Sequence, residues 1–254
     1  PFAIADANTL NTSCVAYYKL DEASGASIDS VNQLDGTTSG VTYGATGKIG
    51  DAYTFDGVND YVSMGDVLGF ERTDSFSYSF WMYLDESSIP LSFYMMLIDK
   101  SEGSTSFQGI ELYLPPSTGK LTLGLISDNV TTNKLEVESD TAVDLQTWQN
   151  IAVTYDGSSN ASGVKMYYNG VAVATSTITD ALTSTIINTE PFGIGAALAR
   201  SALYFKGTID ELAIFDTALT AAQITDLYNS NIGKTYPFAI ADANTLNTSC
   251  VAYY

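Results

Sequence analysis

The chain has 254 residues, of which 45% are hydrophobic and 12% aromatic, which is enough to build a large core and argues against disorder. Its 29 acidic and 10 basic residues give a net charge of −19, which disfavours binding to nucleic acid or to an anionic membrane surface. The sequence contains no histidine, so it excludes His-containing catalytic triads and makes transition-metal sites an unfavourable interpretation.

The segment Pro1–Tyr18 occurs again, letter for letter, as Pro237–Tyr254. An identity of this length predicts one repeat followed by the start of the next. Residues 1–14 are therefore predicted to be a linker or an exchanged segment between repeats, 15–236 a single domain, and 237–254 the beginning of the next identical repeat. The alternative is that the duplication has no structural role and reflects only an arbitrary choice of where a longer sequence was cut.

Each copy of the segment contains one cysteine, Cys14 or Cys250, so a disulfide within one repeat is excluded. Two interpretations remain for this thiol. It is either a small buried apolar residue or the partner of a bond between neighbouring repeats.

From residue 15 onward, short runs of alternating apolar and polar residues are separated by Gly, Asn, Asp and Ser, which is typical of an all-β fold. The predicted strands are 15–20, 34–38, 41–43, 52–56, 61–64, 76–84, 95–99, 109–114, 120–127, 134–139, 149–155, 163–168, 171–177, 192–195 and 204–215. Asn169-Gly170 predicts a type I′ hairpin turn, because both residues of that turn need positive φ. Only 218–228 predicts a helix, with Thr220 as its N-cap.

Several motifs occur in the order that is typical of one family of extracellular domains. They are Val15–Gly25, Asp29–Thr37, Gly50–Val62, Phe76–Trp81, Trp148–Gly157, Val164–Gly170 and Gly207–Phe215 with Ala218–Ile224. On these motifs, residues 15–232 resemble the laminin-G-like, concanavalin-A-like jelly-roll domains (LamG type 3). The resemblance implies an all-β, antiparallel two-sheet jelly-roll sandwich with one short C-terminal helix. We expect the strand at 15–20 to pair near the one at 204–215.

The resemblance also implies a structural calcium ion where the opening loop meets the closing strand. The matching positions are Asp21, Gly25, Asp29 and Asp210, with Asp56 and Asp60 as a second candidate cluster. The alternative is that Asp56 and Asp60 only cap a turn, and that Asp210 bonds the opening loop directly.

The sequence does not predict catalysis. Glycoside hydrolysis needs two facing carboxylates, and the E-x-D-x-x-E strand of related jelly-roll glucanases is absent. Glu111 and 136–138 lie on predicted strands outside that pattern and are interpreted as surface acids. Sugar binding, a frequent role of the family, would use exposed aromatic side chains. The candidates are Tyr83, Phe93, Tyr94 and Tyr113, and the alternative is that they belong to the core.

Two functions follow as hypotheses. The first is a repeating structural unit of an extracellular filament or a long surface adhesin, joined through the duplicated segment to neighbouring copies. The alternative is a carbohydrate-binding module of a larger secreted protein or enzyme. The expected location is extracellular or at the cell surface, and no apolar run reaches the roughly 18 residues that span a bilayer. Predicted glycosylation sequons begin at Asn11, Asn129, Asn160 and Asn247.

Overall fold

The structure is a computed structural model that describes residues 5–85 and 93–238, with side chains of the first helix described from Thr9 onward. Two α-helices are described, α1 (Ala5–Ser13) and α2 (Ala221–Tyr228). The described strands are β1 (Cys14–Tyr18), β2 (Thr37–Ser39), β3 (Thr42–Thr46), β4 (Asp51–Asp56), β5 (Tyr61–Ser63), β6 (Phe76–Tyr83), β7 (Met95–Ser101), β8 (Gly109–Leu114), β9 (Lys120–Asp128), β10 (Asn133–Ala142), β11 (Trp148–Tyr155), β12 (Val164–Tyr168), β13 (Val171–Val173), β14 (Thr175–Asp180), β15 (Gly193–Ile194) and β16 (Lys206–Phe215).

The strands form two antiparallel sheets, which confirms the predicted jelly-roll sandwich. The first sheet has the order β13-β12-β11-β6-β16-β4-β3, and β1 also pairs with β16. The second sheet has the order β14-β10-β9-β8-β7-β15-β5-β2. Alternate residues of each sheet point toward the other one, and they interdigitate in a single core. Phe80 of β6, for example, shares this core with Leu97 of β7 and Leu112 of β8.

The closing strand β16 connects the two ends of the fold. Its first half pairs with β4, its second half with β1, and its other edge with β6. The pairing of Tyr18 with Leu212 confirms the prediction that the first strand lies beside the last. An irregularity in the β6 pairing lies between Asp210 and Ala213, and Glu211 there has a φ of 56°. Both features are typical of a β-bulge.

The helix α2 and the hairpin turn follow their sequence signals. Thr220 is the N-cap, and its side chain accepts a hydrogen bond from the backbone of Gln223, whose own side chain accepts one from Thr220. This capping box satisfies two backbone N–H groups that the helix leaves free. Asn169 and Gly170 have φ values of 51° and 76°, which confirms the positive φ expected of a type I′ turn.

The helix α1 lies within the segment that was predicted to be a linker. Its sequence is short and polar, so no apolar periodicity predicted it. Leu10 is buried in a second apolar cluster with Tyr17, Phe215 and Phe238, and this burial supplies the tertiary packing that such a short helix needs. In the described part of the chain, neither helix is long and apolar enough to cross a bilayer.

Candidate functional site

The outer face of the second sheet, which is turned away from the core, carries a cleft of about 430 Å³. Strand alternation produces its floor. In β8, Ile110 and Leu112 belong to the core, so Glu111 and Tyr113 point to the opposite face. Side chains from surrounding segments line the rest of the cleft, among them Tyr94, Phe107, Asn129, Arg200 and Leu203. The volume lies within the range that is usual for ligand pockets.

One row of paired residues crosses the floor of the cleft from β7 to β10. Asp99 pairs with Glu111, Glu111 with Gly124, and Gly124 with Glu136. Because neighbouring strands are about 4.8 Å apart, the backbones of Glu111 and Glu136 are separated by roughly 10 Å. Gly124 has no side chain, and a Cβ placed there would meet only ordinary contacts, at 3.6 Å from Ile126. The Ile126 side chain, which also lines the cleft, therefore lies against the Gly124 position.

Arg200 holds the carboxylates at one end of this row. Its Nη2 lies 2.7 Å from Glu111 Oε1 and 3.3 Å from Asp99 Oδ1. The guanidinium carbon lies 4.8 Å from the centre of the Phe107 ring, a cation–π distance. Burial raises the pKa of Asp99 to about 7, although the hydrogen bond from Ser101 and the charge of Arg200 both act to lower it.

The other end of the row is held by Lys134 and Tyr113. Lys134 Nζ lies 3.0 Å from Glu136 Oε2, and it also donates to Asn129 Oδ1 at 3.2 Å. The Tyr113 hydroxyl donates to Glu136 Oε1 at 2.7 Å. Burial and the nearby Glu136 raise the pKa of Tyr113 above its usual range, so this hydroxyl keeps its proton at neutral pH. The Glu136 carboxylate is therefore fixed through both of its oxygens.

The structure separates the four aromatic candidates. Tyr94 is 46% exposed, and its ring lies 5.5 Å from that of Tyr113, in an edge-to-face arrangement at the cleft. Phe93 precedes Tyr94 in the chain and is 76% exposed. Tyr83 belongs to the other sheet, where its ring packs 5.8 Å from that of Trp148. Tyr94 and Tyr113 therefore meet in one site, and Tyr83 lies apart from it.

The interpretation of Glu111 and Glu136 as surface acids is wrong, because they are only 7% and 9% exposed and lie on the floor of the cleft. Their outward positions opposite core leucines were a signal in the sequence for this placement. Asp99, Lys134 and Arg200 were not predicted to belong to the site. No sequence pattern indicated Arg200, since it reaches Glu111 from a segment far along the chain.

The calcium candidates of the opening loop have separate backbone roles. Asp29 accepts hydrogen bonds from four backbone N–H groups and so fixes the loop that follows β1; the donors are Tyr17, Val31, Asn32 and Leu34. The carbonyl of Gly25 accepts from Thr38 and Tyr43. Asp21 accepts from the backbone of Asp51. Among the described residues, no group of three or more acidic or cysteine side chains is arranged to hold a metal ion.

Asp210 and Glu211 form a buried acidic pair on the bulge of β16. Asp210 Oδ2 accepts from the backbones of Lys48 and Ile49, at 2.7 and 2.9 Å, in the β3–β4 loop. Its direct bonds are thus to that loop and not to the opening loop. Within the described part of the chain, Asp210 Oδ1 and both Glu211 oxygens have no hydrogen-bond partner. Burial raises the pKa of Asp210 to about 7, with Asp21 adding to the rise, and that of Glu211 to about 8.

Asp56 and Asp60 have the bonds of a turn. Asp56 Oδ1 accepts from the backbone of Val58 at 2.7 Å, and Asp60 Oδ2 accepts from the backbone of Asp56 at 2.8 Å. Burial raises the pKa of Asp60. These contacts agree with the turn-capping alternative, and calcium at either candidate cluster stays a prediction.

The predicted glycosylation sites and the predicted inter-repeat role of the cysteines also stay predictions. Asn160 is exposed, Asn129 lines the cleft, and both amide atoms of Asn11 bond the backbone of Phe238. Cys14 is a buried free thiol, and burial raises its pKa to about 12. Asn247 and Cys250 lie outside the described residues, as does the second copy of the segment from residue 239 onward.

The two sheets and the cleft define a concanavalin A-like β-sandwich with a ligand-sized site on one sheet. A family model, Laminin_G_3, described as the concanavalin A-like lectin/glucanases superfamily, matches residues 56–225. This match covers about two thirds of the sequence, and the chain belongs to that family. A comparison with curated proteins finds no match.

Solved structures with the same fold include a domain of an arabinanase and the binding domains of two toxins. Domain 4 of AbnA, an extracellular arabinanase from Geobacillus stearothermophilus solved with arabinotriose, is 23% identical, with a TM-score of 0.62 over 84% of this chain and 97% of that one. The binding domain of Paraclostridial Mosquitocidal Protein 1 is 18% identical, with a TM-score of 0.64 over 87% and 53%. The ligand-binding domain of botulinum neurotoxin serotype D, solved with N-acetylneuraminic acid, is 15% identical, with a TM-score of 0.61 over 89% and 52%.

This chain therefore spans nearly the whole arabinanase domain, but only about half the length of the two toxin chains. At these identities, the likeness establishes the fold.

Proposed function

We propose that the chain is a carbohydrate-binding domain and that the cleft on β8, β9 and β10 is its sugar site. The observation that carries this proposal is the exposed ring of Tyr94 beside a floor of fixed charged groups. An aromatic face packs against the apolar face of a sugar ring, while Glu111 and Glu136 offer acceptors to its hydroxyl groups. Two structural neighbours were solved with a saccharide, which supports the same class of ligand.

The charges of the cleft favour a neutral sugar. Its cations are already held by carboxylates, since Arg200 bonds Glu111 and Asp99, and Lys134 bonds Glu136. An acidic sugar would have to compete for these cations, and it would also approach a chain with a net charge of −19. We therefore expect neutral oligosaccharides to bind better than sialylated or uronic ones.

The domain binds sugar without cleaving it, in this proposal. A glycosidase needs one carboxylic acid that can give a proton to the leaving oxygen. Glu111 and Glu136 are each held in an ion pair, with Arg200 and with Lys134, so neither carboxyl group is free for that role. Asp99, whose pKa is raised, is 1% exposed and lies beneath Arg200, where a substrate has no access to it.

A glycan array followed by calorimetric titration tests the proposal. Wild-type chain is expected to bind a set of neutral oligosaccharides. Tyr94→Ala is expected to weaken that binding about tenfold or more, because truncation of a central aromatic contact typically costs 2 kcal/mol or so. Tyr83→Ala is the matched control, since it removes the same side chain from the other sheet and is expected to leave affinity unchanged.

Absence of binding across the array, or equal losses in the two tyrosine variants, would contradict the assignment. Preferential binding of sialylated glycans would contradict the neutral-ligand part alone. Release of reducing sugar from a bound oligosaccharide would show that the domain is an enzyme.

A second proposed function is that of a repeating unit in an extracellular filament or surface adhesin. The duplicated segment favours it, because an identical sequence at both ends gives every junction of a tandem array the same chemistry. The two functions are compatible, since a glycan-binding unit repeated along one chain gains avidity. Both place the chain outside the cell or at its surface.

A further inference from the structure

Phe238 is the second residue of the second copy of the duplicated segment, and it occupies an apolar socket on the domain. The socket is formed by Leu10, Asn11, Tyr17, Phe215 and Tyr236. The Phe238 ring lies 5.7 Å from Tyr17, edge to face, and 5.9 Å from Phe215, stacked. As a result, Phe238 is only 2% exposed although it lies close to the end of the described chain.

Asn11 forms hydrogen bonds with the backbone of the residue in the socket. Its Nδ2 donates to the carbonyl of Phe238 at 3.0 Å, and its Oδ1 accepts from the N–H of Phe238 at 2.8 Å. Such a two-point bond fixes the position of the peptide, while the aromatic rings select the side chain. The socket thus contacts both the backbone and the aromatic side chain of one residue, as a specific peptide-binding site does.

The residue in the socket has an identical counterpart. Phe2 stands in the first copy of the segment where Phe238 stands in the second, and a proline precedes both. Asn11, which holds Phe238, belongs to the first copy. The contact therefore joins two copies of one segment, with the start of one copy bound by the helix of the other.

We propose that the socket is the joint between copies of this chain, and that it binds Pro1–Phe2 of a second copy whenever Phe238 does not fill it. In the chain as it stands, Phe238 occupies the socket and blocks association. This joint does not need an exchange of β1 between copies, because β1 stays paired with β16 of its own sheet. From the second copy, the joint needs only Pro1–Phe2, which precede α1 in the sequence.

The test uses the full 254-residue chain with point substitutions. Sedimentation velocity over a range of concentrations is expected to show that Phe238→Ala associates, whereas wild type does not. Phe2→Ala alone is the matched control and is expected to behave as wild type. The double variant Phe2→Ala/Phe238→Ala is expected to be monomeric again, since neither copy then has an aromatic residue to offer.

Binding of a labelled peptide isolates the socket from other causes of association. The peptide PFAIADANTL is expected to bind the double variant, and PAAIADANTL about tenfold more weakly or worse, because burial of a phenylalanine ring supplies most of the contact. Adding Asn11→Ala is expected to weaken PFAIADANTL binding as well. Circular dichroism checks the fold of each variant, and Phe238→Leu replaces Phe238→Ala if the latter unfolds.

Two results would overturn the proposal. One is a Phe238→Ala chain that is folded and monomeric at every concentration. The other is association, or peptide binding, that does not depend on the phenylalanine of Pro1–Phe2.

Discussion

The buried acidic pair on β16 predicts that the protein loses stability as the pH rises through neutrality. Asp210 and Glu211 are 0% and 4% exposed, and three of their four carboxylate oxygens have no partner within the described residues. Burial raises the pKa of Glu211 from 4.5 to about 8, and that of Asp210 from 3.8 to about 7. The folded state therefore holds protons that the unfolded chain has already released.

The magnitude follows from the pKa values. Each pKa unit corresponds to about 1.4 kcal/mol, so Glu211 alone costs the folded state up to about 5 kcal/mol once the pH exceeds its folded pKa of about 8. Its stability contribution is complete below about pH 4.5, declines by about 1.4 kcal/mol per pH unit above that, and is lost by about pH 8.

The substitution Glu211→Gln removes this titration while it keeps the size of the side chain. Urea denaturation at several pH values, in the presence of a chelator, gives the free energy of unfolding of each chain. We expect the difference in free energy of unfolding, variant minus wild type, to grow by several kcal/mol as the pH rises from about 5 to about 8. Asp140→Asn, an exposed acid on the second sheet, is the control and should run parallel to wild type. If the difference in free energy of unfolding between wild type and Glu211→Gln did not change with pH over this range, the reasoning would be refuted.

Three further predictions concern calcium, the core and a helix cap. Millimolar Ca²⁺ is expected to raise the thermal midpoint of wild type more than that of Asp210→Asn, because Asp210 is one of the predicted calcium ligands. Phe192→Ala is expected to cost about 3–5 kcal/mol in urea denaturation, whereas Phe93→Ala, at an exposed position, should cost less than about 0.5 kcal/mol. Thr220→Ala is expected to cost about 1 kcal/mol, because α2 loses its capping box.

Each of these three predictions can be contradicted by the same measurement that tests it. If Ca²⁺ raised the thermal midpoint equally in wild type and in Asp210→Asn, that would contradict calcium binding by Asp210. A small loss for Phe192→Ala would contradict the placement of its side chain in the core. A Thr220→Ala chain as stable as wild type would mean that the cap contributes nothing to the fold.

The parts of the fold that depend on local chemistry could be predicted from the sequence. The turn at Asn169-Gly170 needs positive φ at both positions, and that requirement is written in the residue types. Thr220 and Gln223 likewise carry the signature of a capping box. The alternation of apolar residues along the strands predicted an all-β fold, and the family resemblance implied its two-sheet jelly-roll arrangement.

The helix α1 could not be predicted in this way, because its stability comes from distant residues. Its own sequence has no apolar face. Among its described side chains, Leu10 is the buried anchor, and it packs with Phe215 and Phe238 from the other end of the chain. Local propensity favoured a linker, and long-range packing overrode it.

The candidate site was only partly predictable, for a similar reason. The sequence indicated Tyr94 and Tyr113 as aromatic candidates, but it could not separate them from Tyr83 on the other sheet. The row from Asp99 to Glu136 depends on the register of four strands, and a slip of one residue would turn these side chains into the core. That register is set by tertiary structure and cannot be read from any one strand.

A crystal structure of the chain with its best oligosaccharide from the glycan array tests the central claim most directly. The account predicts a sugar ring against Tyr94, with hydroxyl groups bonded to Glu111 and Glu136 on the floor of the cleft. A saccharide seated anywhere outside this cleft, or a chain that binds none of the array, would contradict it.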